Sequence, residues 1–274
     1  MTTVPVLTLP DGSAIPQVGF GVFLVPEDQT QEAVETALEA GYRHIDTARI
    51  YGNEAAVGRA LRASALPRGE VFVTTKLWND DQGRDTVRPA LEASLERLGL
   101  DRVDLYLIHW PTPDRDLYVP SWEAMEEAAD AGLATSIGVS NFLPEHLDRL
   151  AALGGRLPAV DQVEVHPTLQ QREILSACAR LGIAVEAWSP LGRGADLELQ
   201  EVVDLAARVG ATPAQVILAW HLARGRVVIP KSVTPSRIAE NLAAVDVALD
   251  AADLDALDGL EAGTRIGPDP ATAH

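Results

Sequence analysis

The stretch VFVTTK, residues 71–76, is a short, mainly apolar and β-branched run that ends in Lys76. A second stretch, VDLYLIH at residues 103–109, has the same character and ends in His109. Apolar runs of this length are typical of strands in a parallel sheet that is covered on both faces. Each stretch therefore predicts a buried strand whose last side chain is polar.

Polar residues end other apolar runs of the chain in the same way. Asp46 closes one such run, Ser140 and Asn141 follow another, and Lys231 follows a third. The carboxyl ends of parallel strands share one edge of the sheet, and in an eight-stranded α/β barrel this edge carries the active site. These strand ends therefore predict a common functional rim.

Strand-like and helix-like patterns alternate along the chain. Hydrophobic residues spaced three or four apart between the apolar runs predict amphipathic helices. The Asp11-Gly12 pair predicts the turn of an N-terminal β-hairpin, and residues 250–260 predict an extra C-terminal helix. The pattern predicts one (β/α)8 TIM barrel domain over residues 1–274, since such a barrel needs roughly 250 residues. Its eight strands are expected at residues 19–22, 43–46, 71–76, 103–109, 135–139, 160–164, 183–187 and 227–229.

The chain carries 22 basic and 40 acidic residues, and its formal net charge is −18. An acidic protein is repelled by nucleic acid and by anionic membranes, so neither is expected as a partner. Residues 205–239 depart from this balance because they contain no acidic residue. They predict a binding site for an anion, with a chance run of composition as the alternative. The cations of the segment are Arg208, Arg224, Arg226, Lys231 and Arg237.

The single cysteine, Cys178, excludes an internal disulfide and is expected to be a small buried residue of a helix. The first residues lack the basic and apolar regions of a signal peptide. No apolar run reaches the roughly 18 residues that a membrane span requires. We therefore expect a cytoplasmic protein.

Four residues of the predicted rim form a device for moving protons. Asp46 and Tyr51 lie in the segment 41–54, which leaves a strand and then starts a helix, and Lys76 and His109 end the next two strands. A phenol with a pKa of about 10 is a weak acid at neutral pH, but a nearby ammonium lowers that pKa. A carboxylate holds the ammonium, and an imidazole orients a carbonyl oxygen. The set suits protonation of an oxygen that becomes an alkoxide.

The chain resembles the aldo-keto reductase family over essentially its full length. Three segments carry the resemblance: GYRHIDTARIYGNE at residues 41–54, GVSNF at residues 138–142, and IPKS at residues 229–232 with the residues that follow it. The resemblance implies NADPH-dependent, reversible reduction of aldehydes and ketones. It also implies a catalytic tetrad with Tyr51 as the general acid, made of Asp46, Tyr51, Lys76 and His109.

The resemblance further implies where the cofactor binds. Trp188 would stack on the nicotinamide ring, and a tryptophan at this place is similar to the bacterial 2,5-diketogluconate-reductase-like branch. The carboxamide would contact Ser140, Asn141 and Gln162. The pyrophosphate would be lined by Leu191, Gly192, Arg193 and Gly194. The 2′-phosphate and adenine end would contact Lys231, Ser232, Arg237, Glu240 and Asn241.

The sequence bears on three alternatives to an aldo-keto reductase. A Rossmann fingerprint is absent, so a dinucleotide would have to bind through side chains at the rim. A metal-dependent barrel hydrolase would use paired histidines such as His-x-His, which do not occur, and no metal ligands are predicted. A nucleotide-binding regulatory barrel with little turnover remains the non-enzyme alternative, and a turnover assay separates it.

The substrate pocket is predicted from aromatic residues near the rim. Phe23, Trp78 and Trp110 are expected in loops that face it, together with Tyr118 and Trp122, although Trp122 lies on a predicted helix and packing is the alternative for some of these residues. Small aldehydes, α-dicarbonyls and keto sugars all fit such a pocket. We expect a small-molecule carbonyl substrate and a monomeric protein.

Overall fold

The computed structural model describes residues 3–273 and contains the predicted barrel. A two-stranded antiparallel hairpin is followed by an eight-stranded parallel sheet whose strands neighbour one another in sequence order. The fold class and the positions of the eight strands are confirmed. The hairpin consists of β1 (Val6–Thr8) and β2 (Ala14–Pro16), and the sheet consists of β3 (Phe20–Gly21), β4 (His44–Asp46), β5 (Phe72–Leu77), β6 (Val103–Ile108), β7 (Ala134–Ser140), β8 (Val160–Glu164), β9 (Ala184–Trp188) and β10 (Val227–Val228).

The sheet closes between its first and last strands. The backbone N–H of Gly19 donates to the carbonyl oxygen of Val228 at 2.8 Å, and that of Gly21 donates to Pro230 at 3.2 Å. A Cβ atom at Gly21 would lie 2.9 Å from the carbonyl oxygen of Ile229. Glycine is therefore needed at this seam because the two backbones approach so closely.

Ten α-helices occur in residues 3–273, two more than the strict alternation of strand and helix requires. One addition is the predicted C-terminal helix, and the other arises because the β9–β10 connection contains two helices. The first of these helices ends at Gly210, which has a φ of 71°. The second begins with Pro213, after a capping box formed by Thr212 and Gln215. The helices are α1 (Glu27–Ala40), α2 (Glu54–Ala63), α3 (Val87–Leu98), α4 (Tyr118–Asp130), α5 (Pro144–Ala151), α6 (Arg172–Leu181), α7 (Gln200–Val209), α8 (Pro213–Ala223), α9 (Pro235–Leu242) and α10 (Ala251–Asp258).

The hairpin covers the amino ends of the barrel strands. Leu9 and Ile15 pack in one buried cluster with Phe72, Leu105 and Val160, which lie near the starts of β5, β6 and β8. The opposite edge of the barrel, where the strands end, therefore remains for the site. In the described part of the chain, no single helix is long and apolar enough to cross a membrane. Only α7 and α8 together meet the length and composition, and they are bent by 88°.

Candidate functional site

Asp46 and Lys76 form a buried ion pair at the carboxyl edge of the sheet. The Nζ atom of Lys76 donates to both oxygens of Asp46, at 2.6 and 2.8 Å, and to the carbonyl oxygen of Thr47 at 3.0 Å. Both side chains are buried. Burying two charges is costly unless the geometry is good and the remaining hydrogen bonds are made, and this pair meets both conditions.

Tyr51 meets this pair from the loop after β4. Tyr51 belongs to a one-turn 3₁₀ segment, Arg49–Tyr51. Its hydroxyl oxygen lies 3.4 Å from Nζ of Lys76. The loop is anchored by Asn53, whose amide accepts from Thr47 and donates to the backbone of Val22. The backbone is therefore held in place both before and after Tyr51 in the chain.

The pKa of Tyr51 departs from the expectation of a lowered value. Burial raises this pKa to about 12, and the nearby Lys76 opposes the rise without cancelling it. Burial also disfavours the charge on Lys76, but Asp46 and Tyr51 outweigh this effect and raise the pKa of Lys76 above its usual value. The direction of the predicted effect of Lys76 on the phenol is thus right, while the net pKa shift was predicted wrongly because burial was left out.

His109 ends β6 beside the phenol, as predicted. Its ring lies 5.7 Å from the ring of Tyr51 and 5.3 Å from that of Trp78, measured between centroids. Burial, together with the charge of Lys76, holds the pKa of His109 well below its usual value, so the imidazole is neutral near pH 7. Its Nδ1 atom is buried without a hydrogen-bond partner among residues 3–273.

Ser140, Asn141 and Gln162 adjoin these four residues. Ser140 donates through Oγ to the carbonyl oxygen of Gln162 at 2.6 Å, and Gln162 donates through Nε2 to Asp46 at 2.8 Å. Asn141 has a φ of 63° and donates through Nδ2 to the carbonyl oxygen of His109 at 3.0 Å. The predicted carboxamide-binding residues and the predicted tetrad therefore form one connected network.

Trp188, at the end of β9, belongs to the same network. Its indole N–H donates to Oδ1 of Asn141 at 2.8 Å. The backbone of Gly267 lies so close to the indole ring that no Cβ atom fits there. The ring is thus held from both sides at the edge of the barrel and is partly buried.

The segment predicted to line a pyrophosphate is an irregular turn after β9. Gly192, Arg193 and Gly194 have φ values of 59°, 51° and 100°, and the N–H of Gly194 donates to the carbonyl oxygen of Leu191 at 2.8 Å. Positive φ suits glycine, and only Arg193 adopts it here with a side chain. That side chain is exposed.

The acid-free segment 205–239 divides into structural and open cations. Arg208 pairs with Asp253 and Arg224 with Asp258, so both bind α10 to its neighbours. Arg226 is buried, and its guanidinium lies 4.4 Å from the centroid of Trp220. The composition of the segment therefore overstated the number of cations available to an anion.

Lys231 and Arg237 are the cations of this segment that stay open. Both are exposed, and neither forms an ion pair within the described residues. Ser232 beside them is buried and accepts through Oγ from the N–H of Thr234 at 3.1 Å. Of the two residues predicted at the adenine end, Glu240 accepts through Oε1 from the hydroxyl of Thr212, and Asn241 is buried.

The three aromatic residues of the predicted pocket lie at or beside the rim, and the pocket itself stays a prediction. Phe23 is 44% exposed and its ring lies 5.0 Å from that of Tyr51, so it flanks the phenol; Trp78 flanks His109. Trp110 follows His109 directly, is partly buried, and accepts through its carbonyl oxygen from Gln82 at 2.7 Å.

The loop expected at Tyr118 is wrong, and the helix expected at Trp122 is confirmed. Trp122 and Tyr118 belong to α4 and are buried. Trp122 donates to the carbonyl oxygen of Arg156, and Tyr118 packs edge-on against Phe142. The hydrophobic side of a helix accounts for both.

Three acidic residues at this edge of the barrel were not predicted: Glu186, Glu164 and Asp196. Glu186, in the middle of β9, is buried and accepts through Oε2 from Nε2 of Gln162 at 2.9 Å. Glu164 and Asp196 lie on either side of His166, at 3.2 and 2.8 Å from its two ring nitrogens. Glu186 and Trp188 are two positions apart in β9 and share one face of that strand, but the hydrogen bond from Gln162 to Glu186 has no local signal in the sequence. His166 lies beyond the end of β8, so its contacts have no strand pattern either.

Glu164 also binds the C-terminal tail. Its Oε1 atom accepts from the N–H of Ile266 at 2.7 Å and its Oε2 atom from that of Gly267 at 2.9 Å. Asp196, on the other side of His166, belongs to the irregular segment after β9. His166, between Glu164 and Asp196, therefore joins the tail to that segment. No group of three or more His, Cys, Asp or Glu within residues 3–273 is arranged to hold a metal ion.

Residues 18–262 match the profile of the Aldo/keto reductase family. The chain belongs to this family. It is 51% identical to an aldo-keto reductase of Mycolicibacterium smegmatis over 268 residues, and the match covers 98% of each chain. It is 50% identical over 272 residues to the methylglyoxal reductase DkgA of Yersinia pestis, again with 98% of each chain covered. The resemblance to the family and to its bacterial branch is confirmed.

The fold agrees with solved structures. The chain matches Gox0644 in its apo form with a TM-score of 0.96 and 44% identity, with both chains fully covered. It matches a mutant of Gox0644 in complex with NADPH with a TM-score of 0.95 and 43% identity, also over the full length of both. NADPH is thus the ligand of a structural neighbour that shares this barrel.

Proposed function

We propose that the protein is an NADPH-dependent reductase of aldehydes and ketones that uses Tyr51 as its general acid. The observation that carries this proposal is the position of the Tyr51 hydroxyl, 3.4 Å from a lysine that Asp46 holds in the barrel. The neutral ring of His109 packs against the same phenol. A proton donor, a fixed cation and a neutral imidazole thus face one small volume.

Each residue has a separate task in the proposed reaction. NADPH supplies the hydride, and the carbonyl oxygen of the substrate becomes an alkoxide. Tyr51 donates its proton to this oxygen, and Lys76 stabilises the resulting phenolate. Asp46 holds the ammonium, and neutral His109 offers a hydrogen bond to the carbonyl oxygen. Because each proton transfer is reversible, the same residues support alcohol oxidation, with the Tyr51 phenolate as the base.

The residues available at the rim fit NADPH. Two exposed cations, Lys231 and Arg237, suit the 2′-phosphate, because they provide local positive charge in a chain whose net charge is −18. Ser140, Asn141 and Gln162 would bind the carboxamide, and Trp188 would stack on the nicotinamide. The turn at residues 191–194 would follow the pyrophosphate, and Ser232, Glu240 and Asn241 would complete the site at the adenine end.

The proposed substrates are small carbonyl compounds. Phe23 lies against the phenol and Trp78 against the imidazole, Trp110 follows His109 in the chain, and one relative is named a methylglyoxal reductase. Small aldehydes and α-dicarbonyls are therefore the first compounds to test, and keto sugars the second. We further propose that the protein acts in the cytoplasm as a monomer, without nucleic acid or membrane.

Turnover tests this proposal against a regulatory barrel that binds the nucleotide with little chemistry. NADPH oxidation should be followed by absorbance with a panel of aldehydes, α-dicarbonyls and keto sugars. Carbonyl-dependent oxidation of NADPH is expected with at least one small aldehyde or α-dicarbonyl. Tight NADPH binding without turnover on any compound would favour the regulatory alternative.

A further inference from the structure

Glu186 lies in the barrel interior directly beneath the proposed nicotinamide site. It faces Gln162, its register partner in the adjacent strand β8, and Gln162 donates to it through Nε2 at 2.9 Å. The same Nε2 atom donates to Asp46 at 2.8 Å. The amide of Gln162 therefore bridges two buried acids that come from β4 and β9.

This bridge determines which way the Gln162 amide points. Its nitrogen has two N–H groups, and both are used by Asp46 and Glu186. Asp46 is paired with Lys76 and can only accept, so the nitrogen must face it. The Oε1 atom of Gln162 makes no hydrogen bond to any residue of the described chain and is left as an acceptor for a ligand.

Glu186 has no cation of its own. Lys76 already pairs with Asp46, and His44, whose pKa burial lowers to about 4, is neutral near pH 7 and lies 3.6 Å from Oε1 of Glu186. Burial, followed by the charge of Asp46, raises the pKa of Glu186 to about 8. At neutral pH the side chain is thus a carboxylic acid, whose Oε2 atom accepts from Gln162.

We propose that Glu186 is a positioning residue that anchors the amide of Gln162, so that Oε1 of Gln162 is presented to the carboxamide N–H of the cofactor. The inference rests on the proposed function, since it assumes that a nicotinamide binds at this edge of the barrel. In this proposal Glu186 makes no contact with the cofactor. Its effect passes through one hydrogen bond to a residue that does.

The test compares two cofactors that differ in the group concerned. The 3-acetylpyridine analogue of NADP carries a methyl group where the nicotinamide carboxamide carries its NH₂, so it cannot donate to Gln162. The dissociation constants of NADP and of the analogue are measured by quenching of tryptophan fluorescence for the wild type, Glu186→Met and Glu186→Gln. Met removes the acceptor at similar length, whereas Gln keeps an acceptor oxygen and the neutral charge.

Glu186→Met should weaken NADP by about 3- to 10-fold, the range expected for one hydrogen bond, and leave the analogue nearly unchanged. Glu186→Gln should keep the wild-type ratio between the two ligands. Gln162→Leu removes Oε1 itself. It should therefore lose all preference for NADP over the analogue that depends on this oxygen, and this loss is the reference for the Glu186 variants.

An unchanged ratio in folded Glu186→Met, or equal weakening of both ligands, would overturn the inference. If Glu186→Met does not fold, as judged by thermal melting, Glu186→Asp takes its place. It keeps a carboxyl group but withdraws it from Gln162, and it should lose the same discrimination. A wild-type protein that binds neither cofactor would instead refute the proposed function, so the two failures are distinguishable.

Discussion

Lys76 and Lys231 are the same residue type in two opposite situations. Lys76 is buried and donates to Asp46 and to Thr47, while Lys231 is exposed and pairs with no acid of the described chain. The charge of Lys76 is balanced inside the fold and acts on the Tyr51 proton. The charge of Lys231 is available to a ligand. A cation therefore supports chemistry or binding according to whether the fold has already given it a partner.

The two ends of the site should respond differently to solvent. Salt screens exposed charges over about 8–10 Å at ordinary ionic strength but hardly reaches a buried pair. Raising the ionic strength should therefore weaken an interaction made through Lys231 and leave the Asp46–Lys76 pair unaffected. Substitutions at the buried end should also affect stability, whereas those at the open end should affect binding alone.

The largest effect is expected from removing the phenol oxygen at the buried end. Tyr51→Phe should lower kcat for carbonyl reduction by more than the ~10²–10⁴-fold typical of general acid catalysis, because no other hydroxyl among residues 3–273 hydrogen-bonds with Nζ of Lys76. Stopped-flow and steady-state NADPH oxidation measure this, and fluorescence titration should show unchanged NADPH binding. A variant that retains more than about a tenth of the wild-type kcat would remove Tyr51 from the proposed mechanism.

A matched pair of lysine substitutions breaks the comparison directly. Lys76→Met should lower the free energy of unfolding by about 3–5 kcal/mol, because it leaves Asp46 buried without a cation. It should also abolish most reduction, since Lys76 opposes the rise in the Tyr51 pKa. Lys231→Met is the control and should leave the unfolding curve in urea unchanged. Equal stability of the two variants would mean that the buried pair is not what holds this edge together.

The open end is tested by the double substitution Lys231→Gly, Arg237→Ala. It should weaken NADPH by about 10²-fold or more, at roughly 1.5–3 kcal/mol for each hydrogen bond to a charged group, and leave NADH nearly unaffected. The salt dependence of NADPH binding should also become flatter. Fluorescence titration of both cofactors at two ionic strengths measures these changes.

Arg208→Ala provides the control for this double variant. Arg208 belongs to the same acid-free segment but already pairs with Asp253, so its loss should not change NADPH binding. Equal losses of NADPH and NADH affinity in the double variant would show that Lys231 and Arg237 support the loop and do not recognise the 2′-phosphate.

The buried end of the site could be predicted from sequence because barrel topology brings strand ends together. Asp46, Lys76 and His109 lie at or next to the carboxyl ends of buried strands, and the shared edge of a parallel sheet brings such residues together. Glu186 could not be predicted in the same way. Its contact with Gln162 depends on the register of two neighbouring strands, and the link onward to Asp46 crosses the barrel interior.

The open end was harder to predict because composition does not reveal ion pairs. The sequence predicts that Arg208 and Arg224 are available to an anion, but in the structure they form ion pairs with Asp253 and Asp258 of α10. The break between α7 and α8 was overlooked although Thr212 and Pro213 are a strong helix-start signal. Long-range pairing, unlike capping, leaves no local mark in the sequence.

The smallest effect is expected at His166, which joins the C-terminal tail to the segment after β9. Burial alone would lower the pKa of His166, but its hydrogen bonds to Asp196 and Glu164 outweigh this effect and raise the pKa to about 9. Since this lies above the ordinary value of about 6.5, the stabilisation is complete below pH 6.5 and is lost as pH rises through about 9. The expected loss is on the order of 1–3 kcal/mol.

Urea unfolding of the wild type and of His166→Gln, measured from pH 6 to pH 9.5, tests this expectation. The wild type should lose stability over this range, and the difference between the two proteins should shrink as His166 loses its proton. Glu186 also titrates near pH 8, but it does so in both proteins and cancels in the difference. Parallel curves at all pH values would mean that His166 is uncharged in the fold. In that case the imidazole would carry a single N–H and could donate to only one of Asp196 and Glu164, so it would join the tail to the segment after β9 less firmly.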